Sequence, residues 1–122
     1  MPEMNVSRSN HGSCAVANYV YVACGQDYEQ NFRVKYLQSI ERINMNAIHR
    51  GWEELLVSSS ENLSPRDSIF MAAISRNELV IIGGNGKNDC RGDGYILDIP
   101  KMCLKPIIRN TEENIKFSVV AN

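Results

Sequence analysis

Two stretches of this chain carry the same features in the same order, and that duplication constrains its fold more than any other property. Each stretch is a pair of apolar, β-prone runs around a short turn. The first is Cys14 to Gly25 with its turn at Asn18, and the second is Met71 to Gly84 with its turn at Arg76-Asn77. Arg8 precedes the first and Arg66 the second, 58 residues apart; Gly25 and Gly84, which close them, are 59 apart. A polar loop follows each pair. A third strand comes next, Ser39 to Asn44 in one copy and Gly94 to Asp98 in the other, with Asn44 and Asp98 54 residues apart. A fourth is expected at Trp52 to Leu56 and at Leu104 to Ile108. Flanking residues that recur with the hairpins mark a duplicated four-strand unit.

A period of this length is the signature of solenoids and propellers, and four short strands per unit select the propeller blade. Tyr19 to Val22 and Leu79 to Ile82 are apolar on both faces, as in a sheet packed between two neighbours. Helical arrays fit poorly, because no long 3.6-residue pattern is present. The nearest approach is Asn31 to Arg50, where Val34, Leu37, Ile40 and Ile43 have helical spacing; Asn44, Asn46 and Gly51 lie near its end. A helix there stands as the alternative to the third strand.

These residues resemble the kelch repeat, whose blade has a paired glycine after its second strand, a polar residue ending the third and a tryptophan near the fourth. Gly83-Gly84 matches the paired glycine, and Cys24-Gly25 keeps one of the two. Asp98 matches the polar residue, with Asn44 in the first copy. Trp52 matches the tryptophan, and Leu104 departs from it. Arg8 and Arg66 resemble the arginine that opens a blade. The resemblance implies an all-β partial propeller over residues 1–122: one four-stranded antiparallel blade at 8–58, a second at 66–109, and the inner strand of a further blade at 115–120. It gives Arg8 and Arg66 a blade-to-blade hydrogen-bonding role. The Cys24 position is expected to lose the backbone freedom of glycine, and Leu104, being smaller than tryptophan, to leave the second blade less tightly packed. Rings of this class have ~4–8 blades. Two blades and a strand do not close one, so the chain is expected to be a fragment of a larger propeller or to self-associate.

Composition and motifs narrow the function by exclusion. The chain has 122 residues, 43% of them hydrophobic and 22% charged, which suits one globular domain. Thirteen basic and fourteen acidic residues nearly cancel, so no net field draws nucleic acid or an anionic membrane. No apolar run is long enough to span a bilayer, and the first residues lack the pattern of a secretory signal. The expected compartment is therefore cytoplasmic, with Cys14, Cys24, Cys90 and Cys103 reduced and no metal-type pair among them. Asn5-Val6-Ser7 and Asn62-Leu63-Ser64 are read as chance matches to the glycosylation pattern. Gly83-Gly84-Asn85-Gly86-Lys87 fails as a phosphate loop, since Ile81 and Asn88 stand where a glycine and a hydroxyl are needed. Asp89 breaks the dinucleotide pattern, and Arg91-Gly92-Asp93 reads as a polar loop. His11 and His49 have no ligand or nucleophile partner at useful spacing. Asp89, Asp93 and Asp98 lack the calcium-loop spacing.

No catalytic, cofactor-binding or metal-ligating residue is thus expected. The resemblance implies a non-catalytic protein-interaction module or scaffold, with partner contacts in the loops Gln26 to Tyr36, Val57 to Pro65 and Asn85 to Asp93. Two other readings stay open: part of a propeller enzyme whose catalytic groups lie in missing blades, and a truncated gene product with no independent role.

Overall fold

The computed structural model describes residues 2–29, 33–59, 63–87, 90 and 92–107. The inner strand expected at 115–120, and with it Asn62, Asp89, Arg91 and Ile108, lies outside the described residues. The strands are β1 (Gly12–Val16), β2 (Tyr19–Ala23), β3 (Gln26–Tyr28), β4 (Val34–Tyr36), β5 (Ile40–Asn44), β6 (Trp52–Glu54), β7 (Ser58–Ser59), β8 (Phe70–Ala73), β9 (Glu78–Ile82), β10 (Gly94–Asp98) and β11 (Cys103–Pro106). The helix weighed over Asn31 to Arg50 is not what the described part of that segment forms; β4 and β5 lie there, and a single 3-10 turn closes it at Ile48–Arg50. The fold is all-β.

The first sheet has the order β1-β2-β5-β6 and every pair in it is antiparallel. The second repeats this as β8-β9-β10-β11, with one strand more: β7 joins the outer side of β11 in parallel, so this sheet has five strands, not four. β3 and β4 form a separate two-stranded hairpin where a loop was expected. Neither large sheet closes on itself.

The registers superimpose the two units residue by residue. Tyr19 pairs with Asn44 as Glu78 pairs with Asp98, and Ala23 with Ile40 as Ile82 with Gly94. Ile43 pairs with Trp52 as Leu97 pairs with Leu104, which puts Leu104 at the tryptophan position. Asn44 and Asp98 also act alike. The side chain of each accepts a backbone N–H of the turn that follows, from Asn46 at 2.9 Å and from Lys101 at 3.2 Å. Leu104 is buried in the core, and Trp52 is half-buried with its Nε1 donating to the Pro2 carbonyl at 3.0 Å.

The sheets pack face to face, and unlike faces meet. Val16, Tyr21, Ala23 and Ile40 lie on one face of the first sheet; Met71, Leu79, Ile81, Tyr95, Leu97 and Leu104 lie on one face of the second; all belong to one buried cluster. Register shows that Leu79 and Ile81 correspond to Val20 and Val22, which point away from that cluster. The junction is therefore head-to-tail. β1 and β8 lie side by side along it, and Gly12 allows the approach: a Cβ there would sit 2.5 Å from Ile69 and 2.9 Å from Met71.

Both units end their second strand in the same left-handed pair of residues. Gly25 has φ +99° and Gly84 +103°, and a Cβ would fall 2.7 Å from the Ser9 carbonyl in one and 2.6 Å from the Asp67 carbonyl in the other. Backbone oxygens cannot step aside as a side chain can, so only glycine fits. Cys24, contrary to expectation, holds the bend without glycine: its φ is +60°, beside +69° at Gly83. Gly84→Ala is expected to cost ~2 kcal/mol or more of unfolding free energy. Urea denaturation checks this, and an unchanged midpoint would contradict the equivalence of the two bends.

Candidate functional site

Antiparallel order puts the start of the first strand, the link from second to third strand, and the end of the fourth strand at one end of each sheet. The described ends of the loops Gln26 to Tyr36 and Asn85 to Asp93 therefore share that end, and two arginines hold their bases; in the loop Val57 to Pro65, Ser58 and Ser59 lie instead beside Cys103 and Leu104 at the start of the fourth strand. In the first unit, Arg8 donates from Nη1 to the carbonyls of Cys24 (3.0 Å) and Ser39 (2.9 Å), and from Nη2 to Ser39 Oγ (3.0 Å) and Glu41 Oε2 (2.6 Å). Both charged side chains are fully buried. Glu41 also accepts the backbone N–H groups of Asn5 (2.7 Å) and Val6 (3.3 Å). In the second unit, Arg66 donates to the Gly83 carbonyl at 3.2 Å, bidentately to Asp93, and to the carbonyl and hydroxyl of Ser64. Tyr95 Oη donates to the same Asp93 carboxylate at 3.0 Å.

The blade-to-blade role expected for these guanidinium groups is corrected: each bonds within its own unit. The link between units runs through the backbone of Arg66, whose N–H donates to the Leu37 carbonyl (3.0 Å) and whose carbonyl accepts from Gly25 (2.8 Å). Ser68 N–H adds a bond to the Asn10 carbonyl at 2.8 Å.

The carboxylates that neutralise the two arginines were missed in sequence because they do not align. Asp93 stands at the position of Ser39, just before the third strand, while Glu41 stands at the position of Tyr95, two residues on. Residues i and i+2 of a strand face the same way, so either position reaches the guanidinium. A search for an acid at either position of a repeated arginine unit would have found both. One imbalance remains: Arg66 Nε has the Ser64 carbonyl at 3.0 Å, whereas Arg8 Nε is buried without an acceptor.

Beyond these bases, the β3–β4 hairpin leaves the first unit through Gly25 and Leu37, whose N–H donates to the Gly25 carbonyl at 2.9 Å. Its outermost pair is Tyr28 and Val34, which are 59% and 43% exposed. The second unit has a shorter link there, pinned by two 2.9 Å backbone bonds between Asp67 and Asn85. An open cleft of ≈ 340 Å³ lies between the units at this end, floored by Ile40, Leu63 and Leu104 and bordered by Gln38, Glu54 and Leu56. Leu56 is 92% exposed.

Reactive groups are few here. Burial pushes the Cys24 thiol up to about 12 and the Cys14 thiol up to about 11. His11 is held below its ordinary value, first by burial and then by the Arg8 charge. Among the described residues, no three His, Cys, Asp or Glu side chains group as metal ligands, and no helix is long and apolar enough to cross a membrane. Scanned against protein-family models and curated proteins, the chain matches none.

The buried pair and the buried thiols each yield a test. Glu41→Tyr leaves Arg8 buried without its carboxylate and is expected to cost ~3–5 kcal/mol. Adding Ser39→Asp copies the arrangement of the second unit and is expected to restore most of that loss. Urea titration of the single and double variants reads the coupling, and simple additivity would contradict it. The raised thiol values mean that the folded state holds these protons more tightly than the unfolded chain. That contribution is complete below pH 9 and is lost as pH rises through the folded values. Stability is expected to fall above pH 9, less steeply in Cys24→Ala, with exposed Cys90 the first thiol to react with a disulfide reagent at neutral pH.

Proposed function

We propose that this chain is a non-catalytic protein-interaction module of kelch-repeat type, two blades of a larger β-propeller, working in the cytoplasm. The repeated arginine base, the glycine that ends each second strand, and the shared strand order support the family reading. The observation that carries the function is the exposure of Leu56 beside a cleft with an apolar floor, together with that of Tyr28 and Val34 on the β3–β4 hairpin. Leu56 at the rim of the cleft, and Tyr28 and Val34 on the β3–β4 hairpin, give a partner apolar area to bury, and Gln38 and Glu54 supply polar groups for its backbone or basic side chains. Rigid strands below let these groups keep their places, so little ordering entropy opposes binding. Burial that pushes up the Cys14 and Cys24 thiols argues against either of these two as a nucleophile, because a thiol protonated at neutral pH is a poor one.

The test is affinity capture from cytosolic extract with quantitative mass spectrometry. Tyr28→Asp and Leu56→Asp are expected to deplete a common set of captured proteins at least tenfold while leaving the melting temperature nearly unchanged. A captured set identical to that of the unaltered chain would sink the proposal.

A further inference from the structure

The second sheet meets the first on one face only. Its other face carries Phe70, Ala72, Val80, Ile82 and Ile96, grouped there by register. No other described strand packs on that face. Phe70 is 46% exposed, yet Val80 is only 4% exposed. Val80 is the register equivalent of Tyr21, which lies in the cluster buried at the junction between the units. A face buried at Val80 with no described strand upon it calls for a further piece of chain.

Ile107 marks where that chain sets out. Its N–H donates to the Gly94 carbonyl at 2.8 Å, as the Leu55 N–H donates to the Ile40 carbonyl at 2.9 Å. Gly94 and Ile40 are equivalent by register, so both links leave their sheets at the same point. A Cβ at Gly94 would lie 3.0 Å from Ile107 Cδ1, which puts Ile107 on the face of Phe70 and Ile82. From the matching point in the first unit, the chain runs through Val57 and the buried Leu63 to Arg66 and then to β8, which lies beside β1.

We propose that residues 116–121, which lie outside the described residues, seat on this face beside β8 as β8 seats beside β1. Lys116-Phe117-Ser118-Val119-Val120-Ala121 follows the order of Arg66-Asp67-Ser68-Ile69-Phe70-Met71: a base, an unmatched residue, the same serine, then three apolar residues. Nine positions separate Ile107 from Lys116, against eleven from Leu55 to Arg66. At the first junction Gly25 N–H donates to the Arg66 carbonyl and Ser68 N–H to the Asn10 carbonyl, both at 2.8 Å. The equivalent groups one unit on are Gly84 N–H and the Ser68 carbonyl. Among the described residues neither has a backbone partner, and the Lys116 carbonyl and Ser118 N–H supply them. The proposal rests on the repeat within the chain and not on the partner-binding reading above.

Side-chain sizes favour this segment as the cover. At the first junction Gly12 is opposed by Ile69 and Met71, which a Cβ would meet at 2.5 Å and 2.9 Å. One unit on, Phe70 holds the Gly12 position, and Val119 and Ala121 hold those of Ile69 and Met71. Bulk moves from one side of the contact to the other while the total stays similar, as a close-packed interior requires.

That exchange of bulk provides the test, on the full chain. Phe70→Ala leaves a cavity and Ala121→Met crowds the phenylalanine, so each alone is expected to lower the urea midpoint. The double variant is expected to recover most of the loss, a coupling that residues out of contact do not show. Hydrogen exchange read by mass spectrometry gives a second measurement. Amides of residues 117–121 are expected to exchange ~10-fold or more slowly than those of an unstructured chain. Phe70→Asp is expected to remove that protection while β2 and β5 keep theirs. Additive midpoint shifts, or exchange of 117–121 at the unstructured rate, would overturn the proposal. So would protection that appears only as concentration rises and the chain sediments as a dimer, because the strand then comes from a second copy.

Discussion

Burial of both faces of the same strand is the constraint from which this structure follows. Tyr21 and Val22 are neighbours that point opposite ways, and both are almost wholly sequestered. A strand of that kind needs a layer on each side. For the first sheet, one layer is the second sheet. The other is the chain's own start: Asn5 and Val6 bond Glu41, and the Pro2 carbonyl takes the Trp52 N–H. A single unit removed from the stack would expose Leu79, Ile81, Leu97 and Leu104 together. At ~1.5–3 kcal/mol for each side chain, that rivals the ~5–15 kcal/mol by which a typical domain is stable. Stability therefore belongs to the stack, and each added unit is held mainly by its neighbours.

Within that stack the arginine bases answer a different problem. Where the second strand turns sharply, carbonyl oxygens of Cys24 and Gly83 are carried into the interior without a strand partner. Arg8 and Arg66 supply donors to them. A buried guanidinium in turn needs a carboxylate, since an unpaired charge there costs several kcal/mol. The carboxylate is free to move between two positions on one strand face, and the two units have settled on different ones. What is retained is the charge balance and the carbonyl it serves. A residue-by-residue alignment sees only serine against aspartate and glutamate against tyrosine.

That distinction decides how much was legible in the sequence. Strands β2 and β9 stood out because apolar and β-branched residues cluster there and the flanking arginine and glycine recur with them, whereas β5 and β10 were placed by their position in the repeat, β5 against a helical spacing of its apolar residues. The equivalence of Trp52 and Leu104 was likewise readable, since each opens the fourth strand expected in its copy. β3 and β4 were read as loop because each has only three residues, and Gln26-Asp27-Tyr28 carries no apolar alternation. β7 is two serines whose pairing depends on the edge of β11 being near, which no local pattern announces. The left-handed Cys24 could not be foreseen from its type. Tertiary bonds on either side, from Cys24 N–H to Ser39 and from Arg8 to the Cys24 carbonyl, fix a conformation that an isolated cysteine would avoid.

The outer edges of the two sheets show how the stack deals with strands that have no neighbour. β11 is covered along its outer side by β7, which belongs to the chain linking the units. β6 has no such cover from a described strand. It is three residues long, and two of them, Glu53 and Glu54, are exposed carboxylates. Short length and charge are the two simplest ways to make an edge a poor template for further pairing. Growth by strand addition is thus discouraged at the outer edges, and the exposed apolar side chains of the second sheet, Phe70 and Ile74, lie on a sheet face instead.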